Sequence, residues 1–202
     1  MTTKTNSIGE VGVLSSGYHF RGRIDTVAGS RYAVIQAKDV DEMLRFSPEK
    51  LVHVDVELDS DRYLVRQGDV LFLSRGVRPW ALVLSHPIHK TIVPSSFYIL
   101  RVDSSRVRPE YVAWFLNHPR TQAVLGEIAS GSNIPFVSMS EFEKLKIPVP
   151  ELEVQKRIIV LSELCERETE LINALASRRE QLVDAICFDL ATGNAKLKGA
   201  RS

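Results

Sequence analysis

Only two of the 202 residues are cysteine, Cys165 and Cys187, and no paired CxxC element is present. A disulfide framework and a zinc ribbon are therefore both excluded as the means of holding the fold together. The two cysteines stand several turns apart in one segment that is expected to be helical, so they cannot bridge to each other. They are expected to be buried small apolar residues of a reducing compartment. A surplus of one charge is also missing. Lys and Arg number 26 against 25 Asp and Glu, a net charge of +1, which excludes a histone-like polycation. Any contact with nucleic acid must come from positive charge gathered on one face. Long uncharged apolar runs are absent, which excludes a membrane span. The polar stretch Met1 to Ser7 has no apolar run behind it and does not resemble a signal peptide. A cytoplasmic protein is expected.

The common catalytic signatures are missing too. There is no GxxxxGK[ST] loop to cradle a nucleotide phosphate, no GxGxxG dinucleotide fingerprint and no GxSxG elbow. Gly17 and Gly22 flank Tyr18-His19-Phe20-Arg21, a different spacing. His86 and His89 form an HxxH without an acidic or cysteine partner at ligand spacing, so a surface loop is expected there and no metal. Asp55 and Glu57 read as the solvated side of an alternating strand. The expectation is a protein with no cofactor, no metal and no catalysis of its own.

What is present is an ordinary globular composition, 44% hydrophobic and 25% charged, in a chain long enough to bury a core. After a loose start over residues 1 to 7 and a short apolar run over Val11–Ser16 that Gly17 ends, strands are predicted for Arg31–Gln36, Leu51–Leu58, Tyr63–Arg66, Val70–Leu73, Ala81–Leu84 and Phe97–Val102. The period then changes to a helical one. Pro109 opens a helix through Asn117, His118-Pro119 interrupts it, and Arg120–Ile128 resumes. Ser138 and Glu141 have the spacing of a capping box that starts a short helix through Leu145. Ile147 to Pro150 is extended because proline disfavours helix at the residue before it. Trp114, Phe115, Leu71 and Phe72 are expected to pack in the core.

From Glu151 to about Leu190 neither glycine nor proline interrupts the chain. A helix of that length spans about 60 Å. Ile158, Leu161, Cys165, Ile172, Leu175, Leu182 and Ile186 recur on it at steps of three and four, with Glu168 and Arg179 falling on the same seam. A seam of this kind requires a second helix, and no other segment of the chain supplies one of comparable length. Self-association or docking of a partner through Ile158, Leu161, Ile172, Leu175, Leu182 and Ile186 is therefore expected.

Basic residues cluster in the loops. Arg75 and Arg78 surround Gly76 directly after an apolar strand; His86, His89 and Lys90 follow; Arg21 and Arg23 lie in a glycine-flanked segment. Arginine presents a planar fork to guanine edges and phosphates, and lysine presents a point charge to phosphates. Gly131-Ser132-Asn133 offers backbone and side-chain donors in a turn. By composition alone these are ordinary solvated loops.

In chain order, Gly68-Asp69-Val70-Leu71-Phe72-Leu73-Ser74-Arg75-Gly76, Val93 to Arg101, Pro109-Glu110-Tyr111-Val112-Ala113-Trp114-Phe115-Leu116-Asn117, Gly131-Ser132 with Ile134-Pro135, Leu145 to Pro150, and Glu153-Val154-Gln155-Lys156-Arg157-Ile158 resemble the blocks of Type I restriction-modification specificity subunits. Gly17 to Ile24 and Ile35 to Val40 fit the same family. The resemblance covers nearly the whole chain. It implies an α/β (α+β) target-recognition domain over residues 1–150, a long coiled-coil-type spacer and dimerisation helix over 151–191, and a polar tail over 192–202. It also implies a subunit that reads double-stranded DNA at one half of a bipartite site and directs methylation and restriction subunits to it. Arg75, Arg78, His86, His89 and Lys90 are the first candidates for DNA, with Arg21, Arg23, Ser132 and Asn133 second. The family's usual two recognition domains and two long helices are matched by one of each, as in a half-subunit, and a homodimer through the helix is expected. The competing expectation is a coiled-coil adaptor whose globular head binds protein.

Overall fold

The computed structural model describes residues 4–25, 30–76, 78–131 and 134–193. Chain contacts divide it into two compact units, residues 1–159 and residues 160–202. The fold class is the expected one: a mixed α/β domain followed by one long helix.

The first unit is organised by two four-stranded sheets. The antiparallel sheet runs β2 (Gly12–Ser16), β9 (Phe97–Val102), β6 (Val70–Leu73), β7 (Trp80–Val83). Its centre is apolar at every position because both faces are covered. Val70 and Phe72 of β6, with Tyr98 and Leu100 of β9, enter one core cluster. The alternate residues Leu71, Leu73, Phe97 and Ile99 enter the other. This is why Val70-Leu71-Phe72-Leu73 reads as a continuous apolar run instead of an alternation.

The first cluster is closed by helices α1 (Ile8–Val11), α2 (Pro109–Asn117), α3 (Pro119–Ile128) and α4 (Met139–Lys144). Leu71 and Phe72 are fully buried, whereas Trp114 and Phe115 are half-buried at the rim of the first cluster, the one that Phe72 enters. The second cluster joins this sheet to the mixed sheet β4 (Val52–Val54), β3 (Tyr32–Val34), β8 (Thr91–Ile92), β5 (Leu64–Val65), in which only β3 and β8 run parallel.

Several local expectations are corrected. Of the expected loose start, residues 1–3 lie outside the described residues, and residues 4–7 are not loose. Residues Lys4–Ser7 form β1, paired antiparallel with β10 (Lys146–Val149), and this pairing holds the extended proline segment in place. The strand expected over Leu51–Leu58 ends at Val54. At α4 the Ser138 hydroxyl accepts from the Glu141 amide at 3.3 Å, but Glu141 does not return the bond. Its carboxylate accepts from Lys144 Nζ at 3.0 Å instead.

The long helix, α5, spans Leu152–Ala191, about 60 Å at 1.5 Å per residue. Its first turns belong to the first unit. Gln155 is fully buried; its Nε2 donates to the carbonyls of Arg106 (3.0 Å) and Pro150 (2.7 Å), and its Oε1 accepts from the Arg108 amide (2.8 Å). Ile158 and Ile159 pack on the domain's own core, so the exposed apolar row begins at Leu161 and not at Ile158. From Val160 to Gly193 no residue is buried. Cys165 and Cys187 are exposed free thiols there, contrary to the expectation that they are buried. Among the described residues no helix is long and apolar enough to cross a membrane.

Candidate nucleic-acid interface

Strand β6 is followed by a residue that fixes its exit. Ser74 is buried; its amide and hydroxyl both donate to the Ser96 carbonyl (2.8 and 2.9 Å), and its carbonyl accepts from the Val137 amide at 2.8 Å. The next residue, Arg75, therefore leaves the sheet at a defined point. It bridges to Phe136, and its guanidinium carbon lies 5.4 Å from the centroid of the Phe136 ring. A cation over an aromatic face is attracted by the ring quadrupole, and its planar fork remains free for other acceptors.

Gly76 follows with φ +139, a left-handed conformation that side chains rarely adopt, and its amide donates to the Pro135 carbonyl at 3.0 Å. Phe136 is itself held by a reciprocal pair of backbone bonds with Ser130 (2.9 and 2.8 Å). The segment after β6 and the two flanks of the 131–134 loop are thus one assembly. Arg78 is exposed on it, and Ile134 is exposed beside it. Ser132 and Asn133, also candidates, lie outside the described residues.

The other candidates occupy the loops of the mixed sheet. His86, His89 and Lys90 lie between β7 and β8, with exposed side chains. Lys90 takes a left-handed φ of +44 so that its carbonyl can accept from the Ala33 amide at 3.0 Å, next to β3. Arg21 and Arg23 are exposed past Tyr18, whose amide donates to the Val93 carbonyl at 2.7 Å. Arg23 pairs with Asp25 at 3.2 Å between two well exposed side chains, a contact of little energetic weight. Arg21, Arg78, His86, His89 and Lys90 make no side-chain hydrogen bond or ion pair among the described residues. No such bond or ring contact among them joins the Arg75 assembly to these other two groups.

Two features escape the sequence. Phe136 gives no local sign that it will carry Arg75, because the two are brought together by the long-range Ser74–Val137 and Gly76–Pro135 backbone bonds. The segment 36–50 forms a cavity of about 490 Å³ lined by Lys38, Asp39, Asp41, Arg45, Phe46, Ser47 and Lys50. Its two carboxylates are engaged locally: Asp39 accepts from the Gln36 amide at 2.9 Å, and Asp41 accepts from the amides of Met43 (2.9 Å) and Arg45 (2.8 Å). The bond from the Arg45 amide holds the Asp41 carboxyl below its ordinary pKa. Among the described residues no cluster of three or more His, Cys, Asp or Glu is placed to hold a metal ion.

The sequence model of the Type I restriction modification DNA specificity domain matches residues 2–177. The chain belongs to this family. Solved structures agree with the fold. The S subunit of a Type I restriction-modification system from M. genitalium superposes with a TM-score of 0.56 at 14% identity, over 94% of this chain and 46% of that one. The HsdS subunit from Thermoanaerobacter tengcongensis gives 0.62 at 16% identity, over 98% and 51%. A chain from a structure of type I R-M complex assembly gives 0.62 at 16%, over 91% and 43%. This chain therefore spans about half the length of the specificity subunits it resembles.

Proposed function

We propose that this member of the specificity family reads double-stranded DNA, and that residues 1–150 do the reading. The observation that supports this most is the coincidence of the family match with the Arg75 assembly: an exposed arginine seated on an aromatic ring, flanked by Gly76 and Arg78, at the rigid exit of a fully buried strand. A base-reading side chain benefits from having its position fixed before DNA arrives, because less freedom is lost on binding. Arg75 is assigned to a base edge. Arg78, Lys90, His86 and His89 are assigned to the backbone of the same duplex, with Arg21, Arg23, Ser132 and Asn133 as secondary contacts.

The subunit acts without catalysis of its own. It directs methylation and restriction subunits to one half of a bipartite site, and residues 151–191 form a spacer that pairs with a second helix, in the simplest case that of another copy. The test is binding of duplex pools by the purified chain, alone and with a methylation subunit. Enrichment of a short fixed sequence supports the reading. Capture of protein partners with no DNA binding would favour the adaptor reading instead.

A further inference from the structure

The exposed row on α5 is wider than a heptad seam and follows a different period. Leu161, Ile172 and Val183 are spaced by 11 residues, and so are Leu164, Leu175 and Ile186. An 11-residue repeat stays on one face of a nearly straight or slightly right-handed helix, where a heptad would wind to the left. At 100° per residue these positions fall within an arc of about 100°. Each of the six is exposed, from 47% at Ile186 to 70% at Leu175. Glu168 and Arg179, again 11 residues apart, lie in the middle of this arc. Elsewhere on the helix Arg167 pairs with Glu170 and Ser162 bonds to Glu166. Glu168 and Arg179 have no hydrogen bond or ion pair among the described residues. Opposite charges, each without a partner, in the centre of an apolar face are what a second copy would complete.

We propose that α5 pairs antiparallel with α5 of a second copy in a single register, with Glu168 of each opposite Arg179 of the other. A two-fold axis makes every contact reciprocal. It then passes between Asn173 and Ala174, and facing residue numbers add to 347. That register was set by the charges alone, yet it places Leu161 on Ile186, Leu164 on Val183, Cys165 on Leu182 and Ile172 on Leu175. Every one of these is an apolar pair. A parallel pairing puts Glu168 on Glu168 and Arg179 on Arg179, like charges in contact inside an apolar seam, which is costly. The proposal rests on the self-pairing suggested above and adds its register and polar lock.

Sedimentation equilibrium of the full chain tests it, with circular dichroism as the check on folding, since every substituted position is exposed. Glu168→Arg and Arg179→Glu should each weaken the dimer on the order of a hundredfold in Kd, and the double exchange Glu168→Arg, Arg179→Glu should restore it. With Cys165→Ser and Cys187→Ser in place, the pair Glu168→Cys, Arg179→Cys should oxidise to a covalent dimer, whereas Glu168→Cys alone should not. A wild-type chain that is monomeric at high concentration overturns the self-pairing and the register together. A wild-type dimer that the single exchanges leave intact, or that the double exchange fails to restore, overturns the register alone. Neither result bears on DNA binding by the first unit.

Discussion

Arg101 donates from Nε to the buried carboxylate of Asp69 at 3.0 Å, and its Nη2 reaches both that carboxylate and the carbonyl of Leu64. Arg101 belongs to β9, Asp69 directly precedes β6, and Leu64 lies in β5, so one guanidinium, held by its ion pair, fastens the antiparallel sheet to the mixed one through the Leu64 carbonyl. Asp69 also accepts from the Arg66 amide at 2.9 Å and so closes the turn before β6. Asp69→Ala removes the carboxylate partner of a half-buried guanidinium and leaves a turn amide without its acceptor. It should destabilise the first unit by about 2–3 kcal/mol, read as a lower urea midpoint at unchanged m-value.

Gln155 has a comparable role at the start of α5, where one side chain makes three bonds to backbone groups. Gln155→Leu keeps the volume and removes all three, leaving the Arg108 amide without its acceptor. A loss of about 1–3 kcal/mol is expected. Hydrogen exchange should speed up first at the Arg108 amide and in the opening turn of α5, ahead of β6 and β9.

Tyr111 is set for a pH experiment. Its hydroxyl donates to the Pro148 carbonyl at 2.7 Å, and burial pushes its pKa from 10.0 up to about 12. A group whose pKa is raised in the folded state supports the fold below its unfolded pKa and loses that support as pH rises through the folded value. Stability should therefore fall between about pH 10 and 12, and this fall should be smaller in Tyr111→Phe. Absorbance titration of the phenolates should show one tyrosine ionising late in the wild type and missing from the variant.

The central strands and helices were legible because local sequence and tertiary role agree. Val70 to Leu73 and Phe97 to Val102 are buried or half-buried on both faces, and Pro109 and Pro119 each sit at the first position of a helix. β1 was not legible. Lys4-Thr5-Asn6-Ser7 is polar, and its partner β10 lies at the far end of the domain, so only the folded chain reveals the pairing. β8 is two residues long and exists because it is paired on both edges, by β3 and β5. Asp69 closes the turn before β6 through the Arg66 amide, but nothing near it in sequence announces Arg101. At the candidate interface the sequence supplied the exposed cations. The seat of Arg75 on Phe136 was hidden for the same reason as β1: the two meet through long-range backbone bonds.

That seat leads to a graded series. Arg75→Ala should cost about 1–3 kcal/mol in DNA binding and relax preference at one position of the site. Phe136→Leu keeps the apolar contact, loses the ring face, and should cost about 0.5–1 kcal/mol. Arg78→Ala, at a backbone contact, should weaken all sequences alike and reduce the salt slope by about one. Fluorescence anisotropy on the selected duplex and on single-base variants separates these outcomes.

The central claim, that residues 1–150 read DNA, is tested most directly by selection from a random duplex pool followed by salt titration on the winning sequence. The account predicts enrichment of one short sequence by the wild type, alone or with a methylation subunit, and a log affinity that falls linearly with log salt. It also predicts that Arg75→Ala loses the enrichment at one position. A pool that emerges unenriched in both settings, with no salt-dependent affinity for any duplex, would contradict it.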